Sequence, residues 1–245
     1  QQLAVIMRTL LVKRLDSSFT AFKESLRRFC DATRVMVEMF ERGAVYIAPN
    51  LPVTPLLLAD REDELVALIA DRQATDPTIE VCTPADFSDD LLAGLQADLA
   101  KTTPILAEWA KLVSSGVDPK FDEFILRLRG ELCDRAINHE GRKLVVFSES
   151  KETTEYLKRR LSSEGFSKVL VVDSDSRAKL RDEVAANFDA NYTGKHRHDF
   201  DILISTEVLA EGVNLHRANI VVNYDTPWNA ARLMQRVGRL NRIGT

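Results

Sequence analysis

A chain of 245 residues with 45% hydrophobic content can hold one large or two modest globular domains. Its 33 Lys and Arg against 37 Asp and Glu leave a net charge of −4, so bulk charge cannot hold nucleic acid and any such contact must use local patches. Cys30, Cys82 and Cys133 stand far apart with no Cys-x-x-Cys pair, which argues against zinc or a disulfide framework and fits a reducing, cytoplasmic setting; no apolar run approaches a membrane span, and Gln1-Gln2 opens no signal peptide.

Residues 1 to about 45 predict helix. Leu15, Phe19, Phe22, Leu26, Phe29, Met36 and Phe40 recur at alternating steps of four and three, with Thr33 in the one polar gap. Lys13-Arg14, Lys23 and Arg27-Arg28 interleave with that core-facing stripe, either as a solvated face or as contacts for a phosphate backbone. Pro49, Pro52 and Pro55 predict an extended connection from Gly43 to Pro55. An amphipathic helix with Leu65, Leu68 and Ile69 follows, Asp60 standing as its N-cap, and Glu62-Asp63-Glu64 suit its first-turn dipole better than a metal. Two more helices are expected over 86–101 and 103–115, the second with Thr103 as cap, Pro104 in its first turn and Gly116 as its stop. Asp118 then caps a helix running towards His139, with Phe121, Phe124, Ile125, Leu128 and Leu132 along one side and Gly141 as a stop.

Beyond this point strands and helices alternate. Lys143–Phe147 and Lys168–Val172 are continuous apolar runs, the mark of strands buried on both faces. Helices are expected from Ser150 to Leu161 and from Arg177 to Phe188, and further strands over Asp201–Ile204 and Ile220–Tyr224. The order predicts an α/β fold, a doubly wound parallel sheet flanked by helices and preceded by a mainly helical region, with ligands at the carboxyl ends of the strands. Ser148, Asp173-Ser174 and Ser205-Thr206 sit at those ends. Short hydroxyls there either cap turns or position a phosphate backbone without reading sequence. Asn191 to Asp199 is a polar insertion whose His196 and His198 lack identifiable further metal ligands, and a loop grazing nucleic acid is the expected reading.

The final stretch is the most specific. Gln235-Arg236-Val237-Gly238-Arg239-Leu240-Asn241-Arg242 places three arginines at a spacing of three, one side of a helix, with no carboxylate between Trp228 and Thr245. Guanidinium is always charged and offers a fork of donors to phosphate oxygens, so the row reads as a polyphosphate site or, failing that, as a basic surface helix. Together with Ser205-Thr206, Glu211-Gly212-Val213-Asn214-Leu215 and Asn223-Tyr-Asp-Thr-Pro-Trp-Asn229, these residues resemble motifs V and VI of superfamily-two helicases, specifically Swi/Snf-type DNA translocases. Glu207, His216 and Ala230 depart from that family's usual Asp, Gln and Pro. Ser148 stands where motif IV would, Arg181 and Phe188 keep the expected spacing, and Asp173-Ser174 replaces the usual Asp-Gly. Lys13-Arg14-Leu15-Asp16-Ser17-Ser18 resembles the element that follows the first motor lobe in bacterial members.

The resemblance implies a second RecA-like lobe over 117–245, with 1–116 as a mainly helical inter-lobe region. It assigns Arg239 and Arg242 as arginine fingers on ATP, Gln235 as an organiser of that site, and Glu211, Gly212, Arg236 and Gly238 as nucleotide neighbours. Ser148, Ser205 and Thr206 would face the nucleic-acid backbone, double-stranded DNA before RNA. No G-x-x-x-x-G-K-S/T and no acidic box occur, so ATP and Mg²⁺ are expected to be bound mainly by a first lobe elsewhere in a longer parent chain, and these residues alone are expected to be inactive. The alternatives are an unwinding helicase, a restriction-system motor, or a non-catalytic nucleic-acid-binding scaffold. A nicotinamide-type fold is disfavoured, since no strand leads into G-x-G-x-x-G. The strand that the family places after motif VI is missing, which predicts an exposed sheet edge.

Overall fold

The computed structural model describes residues 2–134, 136–138, 143–206, 214–227 and 229–238. The chain forms two compact units, one holding residues 23–115 and the other the chain up to Phe22 together with everything from Gly116 onward. The sequence reading grouped 1–116 together, whereas α1 (Gln2–Ser17) belongs with the lobe. The polar contacts at the end of α1 supply the reason and are described below.

The central unit contains β1 (Val45–Ile47), α3 (Val53–Leu58), α4 (Glu62–Arg72), β2 (Glu80–Cys82), α5 (Leu91–Ser114) and most of α2 (Phe19–Arg42). Val35, Met39, Phe40, Leu57, Leu65 and Ile69 form its core. Several expectations are corrected here. Helix over 1–45 is broken at Ser18, whose Oγ accepts from the Ala21 N–H at 3.0 Å and so starts α2 as a separate helix. The proline-rich connection holds β1 and α3, and β1 pairs antiparallel with β2. Asp60 does not cap α4. Its φ of 53° is left-handed, and Arg61 precedes the helix without a side-chain cap bond. Nor does Thr103 cap anything, because 91–114 is one helix with Pro104 inside it. Thr102 and Thr103 hydroxyls donate to the Asp98 and Leu99 carbonyls at 2.8 Å, bonding within the turn where proline removes a donor.

The lobe is built on four parallel strands in the order β4 (Val169–Val172), β5 (Ile202–Ser205), β3 (Lys143–Phe147) and β6 (Ala218–Asn223). Side chains alternate across a strand, so Leu144 and Val146 of β3 reach one face and Val145 and Phe147 the other. The first face packs against Phe121, Phe124 and Leu128 of α6 (Pro119–Arg129) and Leu157 and Leu161 of α7 (Lys151–Ser163). The second packs against Val184 and Phe188 of α8 (Arg177–Phe188). This is the doubly wound α/β sheet that the alternation predicted, in the RecA-like form that the resemblance implied. Asp118 caps α6 by accepting from the Phe121 N–H at 3.1 Å, but Gly130 ends that helix well short of His139. Among the described strands β6 lies at an edge, and no described helix is long and apolar enough to cross a membrane.

Candidate functional site

The carboxyl ends of β3, β5 and β6 gather the polar side chains that the sequence singled out. Ser148 follows β3 and is fully buried. Its Oγ donates to Asp225 Oδ2 at 2.7 Å and accepts from the Ser150 N–H at 3.2 Å. Ser205, also fully buried, donates to the Thr206 carbonyl at 2.7 Å. Neither hydroxyl is presented to solvent, and internal donors and acceptors engage both. Thr206 is buried as well, and its Oγ1 has no hydrogen-bond partner among the described residues.

Asp225, at the turn beyond β6, is the centre of the arrangement. Its carboxylate accepts from Ser17 Oγ at 2.6 Å, Ser148 Oγ at 2.7 Å and the Glu149 N–H at 2.8 Å. Three donors satisfy a buried anion that would otherwise be costly. Thr153 Oγ1 lies 2.8 Å from both Ser17 Oγ and Ser18 Oγ. Lys120 donates to the Asp16 and Ser17 carbonyls at the end of α1 and sits 4.5 Å over the Tyr224 ring. Burial pushes the Lys120 ammonium below the usual lysine range, and the carboxylates of Asp16, Asp225 and Asp118 oppose that shift. Sequence reading named Ser17, Ser18 and Asp225 only as parts of family motifs. Their spacing along the chain gives no sign that they meet.

The turn after β4 also closes on a carboxylate. Asp173 Oδ1 accepts from the Asp175 N–H at 3.1 Å, the Ser176 N–H at 2.9 Å and Ser176 Oγ at 2.6 Å. These bonds tighten a loop that lacks the family's glycine, and the Ser176 hydroxyl leads in holding the Asp173 carboxyl below its ordinary range.

Asn229 starts α9 (Ala230–Gly238) by accepting from the Ala231 N–H at 2.9 Å. Gln235 is exposed on this helix, as are Arg232 and Gly238, and Met234 is 70% exposed. Arg236 is the exception at 1% exposure. It donates to Asn223 Oδ1 at 2.8 Å and to the Asp225 carbonyl at 3.2 Å, with its guanidinium 5.3 Å from the Phe147 ring. The side chain faces inward and fastens α9 to the ends of β3 and β6. A Cβ on Gly238 would meet nothing within 4 Å, so no close approach among the described residues calls for glycine there. Arg239, Arg242, Glu211 and Gly212 lie outside the described residues.

The donor set of α9 suits a phosphate-bearing nucleotide as one half of a site, with an exposed amide and a cation and no carboxylate along the helix. Among the described residues no three His, Cys, Asp or Glu side chains converge. In the insertion, His198 is committed to Arg217, 3.2 Å from its Nη2, and His196 Nε2 lies 3.1 Å from the Tyr192 carbonyl.

Residues 127–244 match the helicase conserved C-terminal domain. An uncharacterized ATP-dependent helicase, YqhH, of Bacillus subtilis (strain 168) is 37% identical over 102 residues, 42% of this chain and 17% of that protein. The ATP-dependent RNA helicase FAL1 of Kluyveromyces lactis is 33% identical over 113 residues, 46% of this chain and 26% of that protein. The solved C-terminal part of the Fun30 ATPase domain is similar over 93% of this chain and 64% of its own, at 16% identity and a TM-score of 0.43. The chain thus spans about a quarter or less of the length of these two curated relatives.

Proposed function

We propose that the helicase C-terminal domain of residues 127–244 is the second motor lobe of an ATP-dependent translocase of Swi/Snf type that tracks on duplex DNA. The observation that carries this reading is the family match over 127–244, in which the motif residues fall at the carboxyl ends of β3, β5 and β6 and on α9. Bound with Mg²⁺ mainly by a first lobe, ATP supplies a phosphoryl group on which negative charge develops during transfer. Arg239 and Arg242 neutralise that charge across the cleft, Gln235 orients the reacting end, and Glu211 and Gly212 flank the nucleotide. Fingers of this kind contribute roughly 10³–10⁵ in rate. Ser148, Ser205 and Thr206 stand at the strand ends that face the nucleic-acid backbone, where they fix from inside the loops whose N–H groups meet phosphate. Without its partner lobe this half does not turn over ATP.

The deciding experiment is ATP turnover by the full-length protein with and without duplex DNA, comparing wild type with Arg239→Ala. Stimulation by duplex, reduced at least a thousandfold in the variant, is the expected result. Turnover indifferent to Arg239 would remove the finger assignment and leave a nucleic-acid-binding scaffold. A second reading, an RNA track, is favoured by the similarity to the RNA helicase FAL1. Stimulation by single-stranded RNA with none by duplex DNA would establish it.

A further inference from the structure

We infer that Asp225 is a positioning residue that couples the end of α1 to the placement of α9, and so to the arginines that follow α9. The coupling rests on the motor-lobe reading only for its catalytic consequence, because the linkage itself is geometric.

One short segment at the end of β6 reaches in two directions. Towards α1, the Asp225 carboxylate accepts from Ser17 at 2.6 Å, while Ser148 at 2.7 Å and the Glu149 N–H at 2.8 Å tie the same carboxylate to the end of β3. Towards α9, Asn223 Oδ1 and the Asp225 carbonyl receive Arg236, at 2.8 and 3.2 Å. All of these groups are buried apart from partly exposed Asn223 and Glu149. In a low-dielectric site, charge-assisted bonds of this kind are short and strong, and loss of one partner leaves the others unsatisfied. A shift of the end of α1 must therefore move the Asp225 carboxylate, break its bond to Ser17, or carry the 223–225 segment with it. The last course repositions Arg236, the one buried side chain among those described on α9, and so bears on a helix that Arg232 also ties to Glu149 at 3.9 Å. α1 thus gains a mechanical route to α9.

Hydrogen exchange of the amides of residues 230–238 tests this without reference to catalysis. In the full-length protein, Ser17→Ala removes one donor to Asp225. The expected result is at least fivefold faster exchange in α9 while the amides of α8, outside the linkage, change less than twofold. Asp225→Asn should give a larger increase, and the double variant should be no worse than Asp225→Asn alone. Unchanged α9 exchange in Ser17→Ala, or effects that simply add, would overturn the coupling. ATP turnover supplies the second arm. Ser17→Ala should lower kcat several-fold while KM for ATP moves less than twofold. If wild type shows no nucleic-acid-stimulated turnover, the motor reading fails, while the exchange result still decides the coupling. If turnover is present and α9 exchange is unmoved by Ser17→Ala, the coupling alone fails.

Discussion

Two buried cations stand at opposite ends of the lobe's sheet, and they are held in different ways. Lys143, at the amino end of β3, is 2% exposed, donates to the Phe200 carbonyl and lies 5.0 Å from the Phe188 ring. Arg236, at the carboxyl ends, is 1% exposed and lies 5.3 Å from the Phe147 ring. Each has an aromatic face beneath it, a favourable but modest arrangement. The difference lies in the polar partners. Arg236 has the Asn223 and Asp225 oxygens, whose segment is itself fixed by other donors. Lys143 is depressed by burial first, then by the nearby Arg217 cation, to a pKa of about 8. Polar burial at the carboxyl end therefore builds a defined geometry, whereas at the amino end it leaves a charge under stress.

Substitution should give opposite signs at the two ends. Arg236→Met removes the donor from two acceptors at the strand ends, and leaving such groups unsatisfied costs about 1–3 kcal/mol each. A destabilisation of about 2–5 kcal/mol is expected in urea unfolding, the largest effect among these changes. A neutral or stabilising result would mean that the guanidinium is no anchor. Lys143→Met should instead stabilise at pH 7, by up to about 3 kcal/mol. The sign follows from linkage. The folded pKa of about 8 lies below the ordinary lysine value of 10.5, so between these pH values the unfolded chain binds more protons. Wild-type stability should rise as pH climbs through that window, and the penalty is present in full below pH 8. In Lys143→Met the rise should disappear, and its persistence would assign it to another group.

The sheet was legible because continuous apolar runs such as Leu144–Val145–Val146–Phe147 allow little else once helices alternate with them. Gly116 and the Asp118 cap were equally readable, since a left-handed stop and a side-chain acceptor announce themselves locally. The helical region was harder. Pro104 reads as a first-turn proline, yet the helix runs through it, and β1 and β2 are three residues each, too short for any period to show. At the site, the motif spelled out which residue types matter but not which way they face. Arg236 and the exposed Gln235 are neighbours in sequence, and a helix turns them about 100° apart, so one is an anchor and the other presented. The meeting of Ser17, Ser148 and Asp225 spans more than two hundred positions and is set by tertiary packing alone.

A smaller change tests whether the carboxyl end is locally as well as collectively ordered. Ser150 caps α7, its Oγ accepting from the Thr153 N–H at 3.3 Å and from Arg14 at 2.9 Å, and donating to Glu152 at 2.8 Å. Ser150→Ala should cost about 1 kcal/mol, the usual worth of an N-cap, and Ser150→Asn should recover most of it because its side-chain oxygen can serve the same amide. The Arg14–Glu152 ion pair at 3.0 Å survives either change and keeps the loss small. Lys143 and Ser150 are separated by the length of β3, roughly 16 Å at 3.3 Å per residue. Their effects should therefore add to within about 0.5 kcal/mol, as expected for sites without shared partners. Strong non-additivity in the Lys143→Met, Ser150→Ala double variant would show that the two ends communicate through the sheet, and the contrast between them would then describe one network instead of two.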